Sequence, residues 1–524
     1  MLKNRYHITD ETFASFADKY PNVKRSDIEE LITQEIYVTK AELTQRSEIE
    51  FLKNKAIIAM GTEHEMKFSD IEMGMLRASL SDGRQALKEI IGKTPVEAPS
   101  CSDGTKMKDQ GSKKKNIMTT LGLIEGIGRT LYRDEVEHIN VYPLDKKIEL
   151  LEIGGRHSRY TSNFSRLAGD YYARLPERDV LALLKKTLGI DLEKDSLTAI
   201  GAVVAQPYLP PRFDEEGVDV VLQKDVVSGP GFIEKRIQEI DASPNRDEII
   251  HEALIGNMDG NERRHVTAAL SAAYVLADGT GIFGLPGELS DKGKNGGVAK
   301  TFEAKIGVFF TQNFNADGLP LLANGSIYRN PDSTRYMGTV EKIDQFTPQM
   351  ERFAMVNGIE SANQTVFLSD GAVWLENLRK KLFPNSVGII DFYHASQHLH
   401  KLVDSLLFYS KQNKAMFFEK CYKLLELGMI DKMVDLIEQK TTDSNRESVN
   451  KQLPYFTGNK DKMRYGLFRS VGLFIGSGVV EAGCKTIVEN RLNCSGMRWS
   501  KKNAANVIAL RCSIYSGFYD SAAA

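Results

Sequence analysis

The chain has no long hydrophobic segment. No run of about 18 apolar residues occurs in it, which argues against a membrane-spanning helix. Its first residues, MLKNRYHITDETF, lack the apolar core of a secretory signal peptide. We therefore expect a protein that has no membrane association and works in the cytoplasm.

Cysteine is scarce and scattered. The sequence has five cysteines and no C-x-x-C pair, which argues against a structural zinc ribbon and is typical of a reducing compartment. The cysteines are Cys101, Cys421, Cys484, Cys494 and Cys512.

An excess of positive charge is also missing. Lysine and arginine number 68 against 70 acidic residues, a net charge of -2. Nucleic-acid-binding proteins often carry a strongly basic surface, so any such surface here must be local. One basic cluster lies between Lys106 and Lys115. A second basic cluster lies in the C-terminal region and consists of Lys485, Arg491, Arg498, Lys501 and Lys502.

At 524 residues the chain is too long for one hydrophobic core, and we expect three or more structural units. Residues 1–95 have apolar positions at helical spacing, as in Ile28, Leu31 and Ile32, and predict a helical region. Residues 96–160 predict a linker, rich in Pro, Gly, Ser and Lys up to Asn116, and then a small β module.

Residues 161–260 predict a helical region that resembles a helix-turn-helix. Pro176 can open one helix that ends near Gly189, and Asp195 or Ser196 can cap a second. Two short helices around a glycine turn suit DNA binding, but an ordinary helical hairpin has the same pattern.

Three short apolar runs in the C-terminal half each end in an aspartate. They are AAYVLADGTG, ending at Asp278, TVFLSDG, ending at Asp370, and SVGIIDFYH, ending at Asp391. Such runs predict buried strands, and the amphipathic helix between the last two makes those strands parallel. A further run, FEAKIGVFF, predicts another strand between Thr301 and Gln312. Catalytic groups of open α/β sheets lie at the carboxyl ends of strands, so the aspartates are suitably positioned for chemistry.

A metal site is one interpretation of these acidic residues. Asp278 and Asp370 are each followed by glycine, which allows a sharp turn at a strand end. The alternative is that both are turn aspartates that cap the next element. Glu481, on a helix predicted after Gly478, is the third candidate, although it could instead form a solvated pair with Lys485. Three carboxylates from separate elements suit Mg²⁺, and two such ions can drive phosphoryl transfer.

The order of three sequence blocks resembles a known family. ADGTG, then SDGAVWLENL with IIDFYHASQHL, then GSGVVEAGCKTIVENRLNCSGMRWS are similar to the DDE transposases of bacterial insertion sequences. The chain is most similar to the Kra-type insertion-sequence family, which is related to the mutator-like transposases. The match covers residues 274–283, 364–400 and 476–515, and its most specific part is the glutamate helix followed by R-L-x-x-S-G-M-R-W-S.

The resemblance implies a fold class: an α/β RNase H-like catalytic domain, a mixed sheet flanked by helices, with an all-helical insertion. The core would occupy residues 261–395 and 476–524, and the insertion residues 396–475. Asp278, Asp370 and Glu481 match the family's metal-binding catalytic triad. Many relatives carry a cysteine-bearing ribbon in the N-terminal half, but residues 117–151 contain no cysteine.

The same resemblance implies a function. It predicts a DNA transposase that uses two Mg²⁺ ions, with Mn²⁺ as a substitute, to cleave transposon ends and to join the 3′-hydroxyl to target DNA. Its partners would be double-stranded DNA and further copies of the chain, in the bacterial cytoplasm at the nucleoid. The alternatives are a non-enzymatic DNA-binding protein derived from a transposase and a structure-specific RNase H-like nuclease.

Supporting groups flank the triad. Asp391 and His394 form a D-x-x-H, and relatives of the mutator type have a similar motif, so His394 is a catalytic candidate that orients the phosphate or the water. The alternative is a helix cap with His394 packed beneath it. His394, His398 and His400 would need a further ligand to bind zinc. DNA contacts are predicted for a basic and aromatic group, although Trp499 could be a core anchor in an ordinary basic loop. That group is Arg491, Arg498, Trp499, Lys501 and Lys502.

Overall fold

The computed structural model describes residues 68–213, 231–256, 259–263, 266–289 and 299–519. The chain folds as two compact units, Met1–Val204 and Ala205–Ala524. The helical pattern predicted around Ile28 and Ile36 lies outside the described residues. Among the described helices, none has the length and apolar character needed to cross a membrane.

The first unit combines a five-stranded sheet with helices. The strands are β1 (Lys108–Thr119), β2 (Gly122–Arg133), β3 (Asn140–Val141), β4 (Leu150–Ile153) and β5 (Arg156–Thr161). Their order in the sheet is β3-β2-β1-β5-β4, and a small core includes Ile117, Ile124 and Leu150. The helices are α1 (Phe68–Lys93), α2 (Pro143–Lys147), α3 (Ser162–Arg174), α4 (Glu177–Leu188) and α5 (Lys194–Ala205).

Strand β1 begins earlier than the sequence predicts. Its lysine-rich first half, through Asn116, was expected to be linker, but it pairs antiparallel with β2 from Lys108↔Arg133 onward. Most of this half is exposed, so a polar composition is compatible with an extended hairpin. Composition alone therefore gave the wrong assignment here, because backbone pairing rather than apolar alternation holds the strand.

Helices α3, α4 and α5 confirm that residues 162–205 are largely helical. Helix α4 starts immediately after Pro176 and ends at Gly189, whose φ of 65° is the left-handed conformation expected of a glycine cap. Helix α5 begins at Lys194, one residue before the predicted cap positions. The helices themselves do not test DNA binding.

A second five-stranded sheet forms the centre of the second unit. Its strands are β7 (Leu270–Phe283), β8 (Thr301–Phe314), β11 (Arg335–Thr339), β12 (Gln364–Ser369) and β13 (Val387–Ile390). Their order is β11-β8-β7-β12-β13. Strand β8 pairs antiparallel with β7 and β11, whereas β12 runs parallel to β7 and β13. The strand predicted from FEAKIGVFF is confirmed as β8.

One face of this sheet is covered by α8 (Ile343–Val356) and α9 (Val373–Leu382). Ala273, Val275 and Ala277 of β7 lie in a buried cluster with apolar side chains of both helices. Successive strand residues face opposite sides, so residues 274, 276 and 278 point to the other face. There Tyr274 stacks on Phe310, with ring centroids 4.6 Å apart.

Helices fill the segment between β13 and the predicted glutamate helix. Among residues 392–470, which are all described, no strand occurs. The helices are α10 (Phe392–Asp404), α11 (Lys411–Leu427), α12 (Ile430–Lys440), α13 (Arg446–Thr457) and α14 (Tyr465–Ser470). Two earlier helices pack against α14: α6 (Phe232–Asp241) and α7 (Arg246–Leu254).

The remaining elements are short or C-terminal. The C-terminal α15 (Gly478–Cys484) continues through a π-helical turn, Lys485–Glu489, into α16 (Asn490–Leu492), and α17 (Lys501–Tyr515) follows. A small sheet contains β6 (Asn261–Glu262), β9 (Leu321–Ala323) and β10 (Ser326–Ile327). The 3₁₀ turns are Gln206–Tyr208, Pro286–Glu288, Pro331–Ser333, Ile359–Ser361 and Lys460–Lys462.

An ion-pair network ties α9 to the helical segment. Arg379 donates two hydrogen bonds to Glu376, at 3.1 and 3.0 Å, and Lys462 Nζ lies 3.0 Å from Glu376 Oε2. Burial raises the pKa of Glu376, but the hydrogen bonds from Arg379 and Lys462 outweigh it and lower the pKa to about 2.

Replacing Glu376 by glutamine should therefore weaken the fold in a pH-dependent way. Because the folded pKa is depressed, the carboxylate stabilises the protein above its ordinary pKa of 4.5, and the effect disappears as the pH falls toward 2. After allowance for partial exposure we expect a loss of about 1–2 kcal/mol at neutral pH. Urea unfolding of both proteins between pH 7 and 3 measures it. The exposed Glu419→Gln is the control, and an equal deficit at every pH would contradict the linkage.

Candidate active site

The three aspartates predicted at strand ends lie at one level of the central sheet. Leu276 of β7 pairs with Leu368 of β12, so Asp278 and Asp370 each stand two residues beyond the same pair. Ser369 pairs with Ile390, and the Asp391 amide donates to the Ser369 carbonyl at 2.7 Å. Neighbouring strands are about 4.8 Å apart. Asp278, Asp370 and Asp391 therefore follow one another across three adjacent strands.

Asp278 does not end its strand, contrary to the sequence prediction. Strand β7 continues to Phe283, and Asp278 pairs with Ile306 of β8. The Asp-Gly step stays extended because β8 provides a partner for every residue. At Asp370 the prediction is confirmed: Gly371 has a φ of 92°, in the left-handed region that favours glycine. A side chain there would also meet the Tyr455 ring.

The surroundings of Asp278 oppose its negative charge. Burial raises its pKa, and the nearby charge of Asp370 raises it further, against the opposing effects of hydrogen bonds from Gly279 and Cys484. The Gly279 amide lies 2.7 Å from Oδ1, and Cys484 Sγ lies 3.6 Å from Oδ2. Two partly buried carboxylates that repel each other suit a bound cation.

Asp370 is held by its own turn and by the helical segment. Its Oδ1 accepts from the Ala372 amide at 2.8 Å. Its backbone carbonyl accepts from the Tyr455 hydroxyl at 2.9 Å, which attaches α13 to the end of β12. The site thus depends on residues far away in sequence.

Asp391 is the most buried acid of the group, with no exposed side-chain surface. Its Oδ1 accepts from the His394 amide at 2.6 Å, so it does cap α10, and its Oδ2 accepts from the Ser477 amide. Burial raises its pKa, but hydrogen bonds from His394 and Ser477 outweigh it, and the net shift is downward. Asp391 therefore stays ionised and connects β13 to the start of α15.

Glu481 and His394 meet beside Asp391. Glu481 Oε1 accepts from the Ser477 hydroxyl at 2.8 Å and lies 3.8 Å from His394 Nδ1. His394 Nδ1 lies 3.4 Å from Asp391 Oδ1. The nearby Asp391 carboxylate raises the pKa of His394, burial lowers it, and the charges of Asp370 and Glu481 raise it further, so that the net shift is upward. The alternatives stated from sequence are thus not exclusive: Asp391 caps the helix, and His394 still faces the acidic group.

One set of side chains has the spacing of metal ligands. One ligating atom from each of Asp391, His394 and Glu481 lies within 4.8 Å of the others. The charges of Asp370 and His394 act in opposite directions on the pKa of Asp278, which Asp370 raises and His394 lowers. His394 also lies within electrostatic range of Asp370 and Glu481, whose charges raise its pKa.

A distorted helix supports Glu481. The turn after α15 is π-helical, a form that often marks functional positions. The Thr486 carbonyl in this turn accepts from both Nε and Nη2 of Arg511 on α17, the former at 3.0 Å. The C-terminal helix thereby fixes the glutamate helix.

Burial argues against the predicted DNA contacts of Arg491 and Trp499. Arg491 has no exposed surface, and Trp499 is 6% exposed. The guanidinium lies 4.9 Å from the indole centroid, and indole Nε1 donates to the Leu492 carbonyl at 2.9 Å. Backbone hydrogen bonds join Trp499 to Phe283, the last residue of β7, and to Leu285, two residues later. This pair is a structural anchor, the alternative stated from the sequence.

Arg498, Lys501 and Lys502 are exposed around the same loop and the start of α17. Their positions leave the DNA prediction open for these three side chains.

Sequence reasoning did not assign Ser477 or Cys484 a role. Cys484 follows Glu481 by three positions, so both face the same side of the helix, and this spacing could have indicated a shared site. Burial raises the pKa of the Cys484 thiol far above its ordinary value, which keeps it a neutral donor to Asp278. Ser477 had no comparable signal, because its partner Asp391 lies 86 residues away.

No protein-family model matches the chain, and a search of the curated proteins gives no match. The geometry of the site and the sequence blocks that resemble the insertion-sequence transposases are therefore the basis for a functional proposal.

Proposed function

We propose that the protein is a DDE-type DNA transposase, which cleaves transposon ends and joins the freed 3′-hydroxyl to target DNA. The observation that carries the proposal is the level arrangement of Asp278 and Asp370 on adjacent parallel strands. The helix of Glu481 packs on β7, the strand that carries Asp278, and on the neighbouring β8. Carboxylates from separate elements around one space are what two-metal phosphoryl transfer requires.

The sheet supports an RNase H-like assignment. Three strands, β7, β8 and β11, form an antiparallel meander, and β12 and β13 then add in parallel beside β7. The first strand is therefore central, and α8 and α9 serve as crossovers. A helical segment lies between β13 and α15, in the place of the insertion implied by the resemblance.

The residues present fit divalent metal ions. Asp278, Asp370 and Glu481 would hold them, since carboxylate oxygens are the donors that Mg²⁺ prefers and Mn²⁺ accepts. Burial and the Asp370 charge already raise the pKa of Asp278, a repulsion that a cation relieves. When bound, two ions lower the pKa of the attacking water and neutralise charge on the phosphate.

His394 can orient the reacting groups. Its Nδ1 lies between Asp391 and Glu481, and part of the side chain is exposed. Protonated, it would donate to a phosphate oxygen; neutral, it could accept a proton from water. The upward shift in the pKa of His394 favours the protonated form and hence the first role.

The proposed reaction is balanced without an energy-rich cofactor. Water attacks the phosphodiester at a transposon end, the phosphorus–3′-oxygen bond breaks, and a 3′-hydroxyl is released. That hydroxyl then attacks a target phosphodiester, so each step replaces one phosphorus–oxygen bond by another. Each new bond is of the same type as the one broken.

The substrate proposal is double-stranded DNA, with Arg498, Lys501 and Lys502 as phosphate contacts near the glutamate helix. Two transposon ends must be brought together, so we further propose a homo-oligomer that acts at the nucleoid in the bacterial cytoplasm. Because the overall charge of the protein is near zero, its electrostatic attraction to DNA would come mainly from such local contacts.

The test is a cleavage and joining assay on DNA that flanks the gene on both sides. We expect cuts at discrete positions in Mg²⁺ or Mn²⁺, none with a chelator, and joined products when a pre-cut end is supplied with a target plasmid. Binding without any cleavage would instead support a DNA-binding protein derived from a transposase. Cleavage without joining of the pre-cut end would support a nuclease.

A further inference from the structure

We propose that Asp391, His394 and Glu481 form a mixed nitrogen and oxygen site that binds Mn²⁺ or Zn²⁺ in preference to Mg²⁺. The proposal rests on the proposed function in that Glu481 belongs to both sites. It adds two ligands, Asp391 and His394, outside the acidic triad. The end of the active site near His394 would then offer nitrogen and oxygen ligands, and the end near Asp278 and Asp370 only oxygen ligands.

The spacing of the three groups fits one ion. With bonds of about 2.0–2.1 Å, two ligands of a tetrahedral ion lie roughly 3.4 Å apart. His394 Nδ1 lies 3.4 Å from Asp391 Oδ1 and 3.8 Å from Glu481 Oε1. The largest of the three separations is within 4.8 Å, so side-chain rotation of Glu481, which is 52% exposed, can complete the site.

The imidazole nitrogen in this space lacks a satisfactory hydrogen bond. His394 Nδ1 is shielded from solvent and has no partner at good geometry. The 3.4 Å approach to Asp391 is long for a hydrogen bond between a nitrogen and a carboxylate. Buried polar atoms are normally satisfied, and a cation would satisfy this one.

The other histidines of α10 are used elsewhere. His398 Nδ1 faces Gln452 Oε1 at 3.4 Å, and its ring stacks on Tyr455 with centroids 3.9 Å apart. His400 stacks on Phe418, also at 3.9 Å. The three histidines of α10 therefore do not form one cluster. Only the His394 imidazole lies beside the carboxylates of Asp391 and Glu481.

The ligand set decides the metal. Imidazole nitrogen suits Zn²⁺ and other transition ions, whereas Mg²⁺ prefers an all-oxygen shell and keeps its waters. The Asp391 side chain has no exposed surface, and a buried carboxylate charge needs a compensating one. Near Asp278 and Asp370 the donors are carboxylates, so that end remains suited to Mg²⁺.

The experiment is pulsed electron paramagnetic resonance of the DNA-free protein with Mn²⁺. We expect ¹⁴N modulation from one directly bound imidazole. It should disappear in His394→Gln and persist in His398→Gln, the matched control one helical turn away. In equilibrium titrations His394→Gln should weaken Mn²⁺ binding by about tenfold or more and leave Mg²⁺ binding unchanged. Zn²⁺ should compete with the nitrogen-coupled Mn²⁺.

Two results would overturn the site: bound Mn²⁺ without nitrogen coupling, or coupling that survives in His394→Gln. Either result would leave the transposase proposal standing if DNA cleavage still depends on Asp278 and Asp370. Conversely, nitrogen-coupled Mn²⁺ in a protein that never cuts DNA would support the metal site and reject the proposed activity.

Discussion

Asp278→Asn and Asp370→Asn should each abolish metal-dependent DNA cleavage, with a loss of about 10³-fold or more. Charge stabilisation by the ions contributes several kcal/mol, and each 1.36 kcal/mol corresponds to about a factor of ten in rate. An amide keeps the shape of the carboxylate but not its charge, so the loss isolates metal binding. Initial cleavage rates on the same DNA, with DNA affinity measured in parallel, test this.

The same Asp278 substitution should not weaken the fold. Burial and Asp370 raise the pKa of Asp278 in the folded protein. The stability linked to its protonated form is present at low pH and is lost as the pH rises through the folded pKa. At neutral pH without metal the ionised group is therefore unfavourable, and Asp278→Asn should melt at the same temperature as the wild type or higher.

The control for both aspartates is Asp344→Asn. Asp344 is exposed in the first turn of α8, which covers the opposite face of the sheet. It should keep full activity. If Asp278→Asn and Asp370→Asn cleave at wild-type rates, the proposed active site is wrong, whatever their stability.

Trp499→Ala should destabilise the second unit by about 3–5 kcal/mol, the range for removal of a large buried aromatic. The indole is 6% exposed, stacks on Arg491 and donates to the Leu492 carbonyl. Its loss leaves a cavity and exposes a buried guanidinium. Urea unfolding monitored by circular dichroism measures the change.

Arg498→Ala is the matched comparison, one residue away but exposed. It should change stability by no more than about 0.5 kcal/mol and weaken DNA binding, most strongly at low salt. A Trp499→Ala protein that is as stable as the wild type but has lost DNA binding would restore the original assignment of the tryptophan as a DNA contact.

The sequence predicted the strands that carry Asp278, Asp370 and Asp391, because continuous apolar runs are strong signals of buried strands. It predicted the turn after Asp370 but wrongly ended β7 at Asp278. The two Asp-Gly steps are identical locally. Only the presence of β8, paired with β7 through Phe283↔Thr301, separates them, and such pairing is tertiary information.

Long-range contacts explain the other differences. The hydrogen bond between Asp391 and Ser477 joins the end of β13 to the start of α15, which the helical segment separates in sequence. No local sequence pattern predicts it. Burial of Arg491 likewise depends on the Trp499 ring folding back over it. From composition, Arg491 and Trp499 are a basic and an aromatic loop residue. Composition does not distinguish a buried anchor from an exposed DNA contact.

The strand register of the central sheet fixes the relative positions of its acidic residues. Because hydrogen-bonded strands keep a constant separation of about 4.8 Å, the sheet sets the distance between the backbones of Asp278 and Asp370. Deleting one residue of β7 ahead of Asp278 would turn its carboxylate toward the apolar helices on the reverse side. Loops around the sheet can vary in length, whereas the count of residues within these strands cannot.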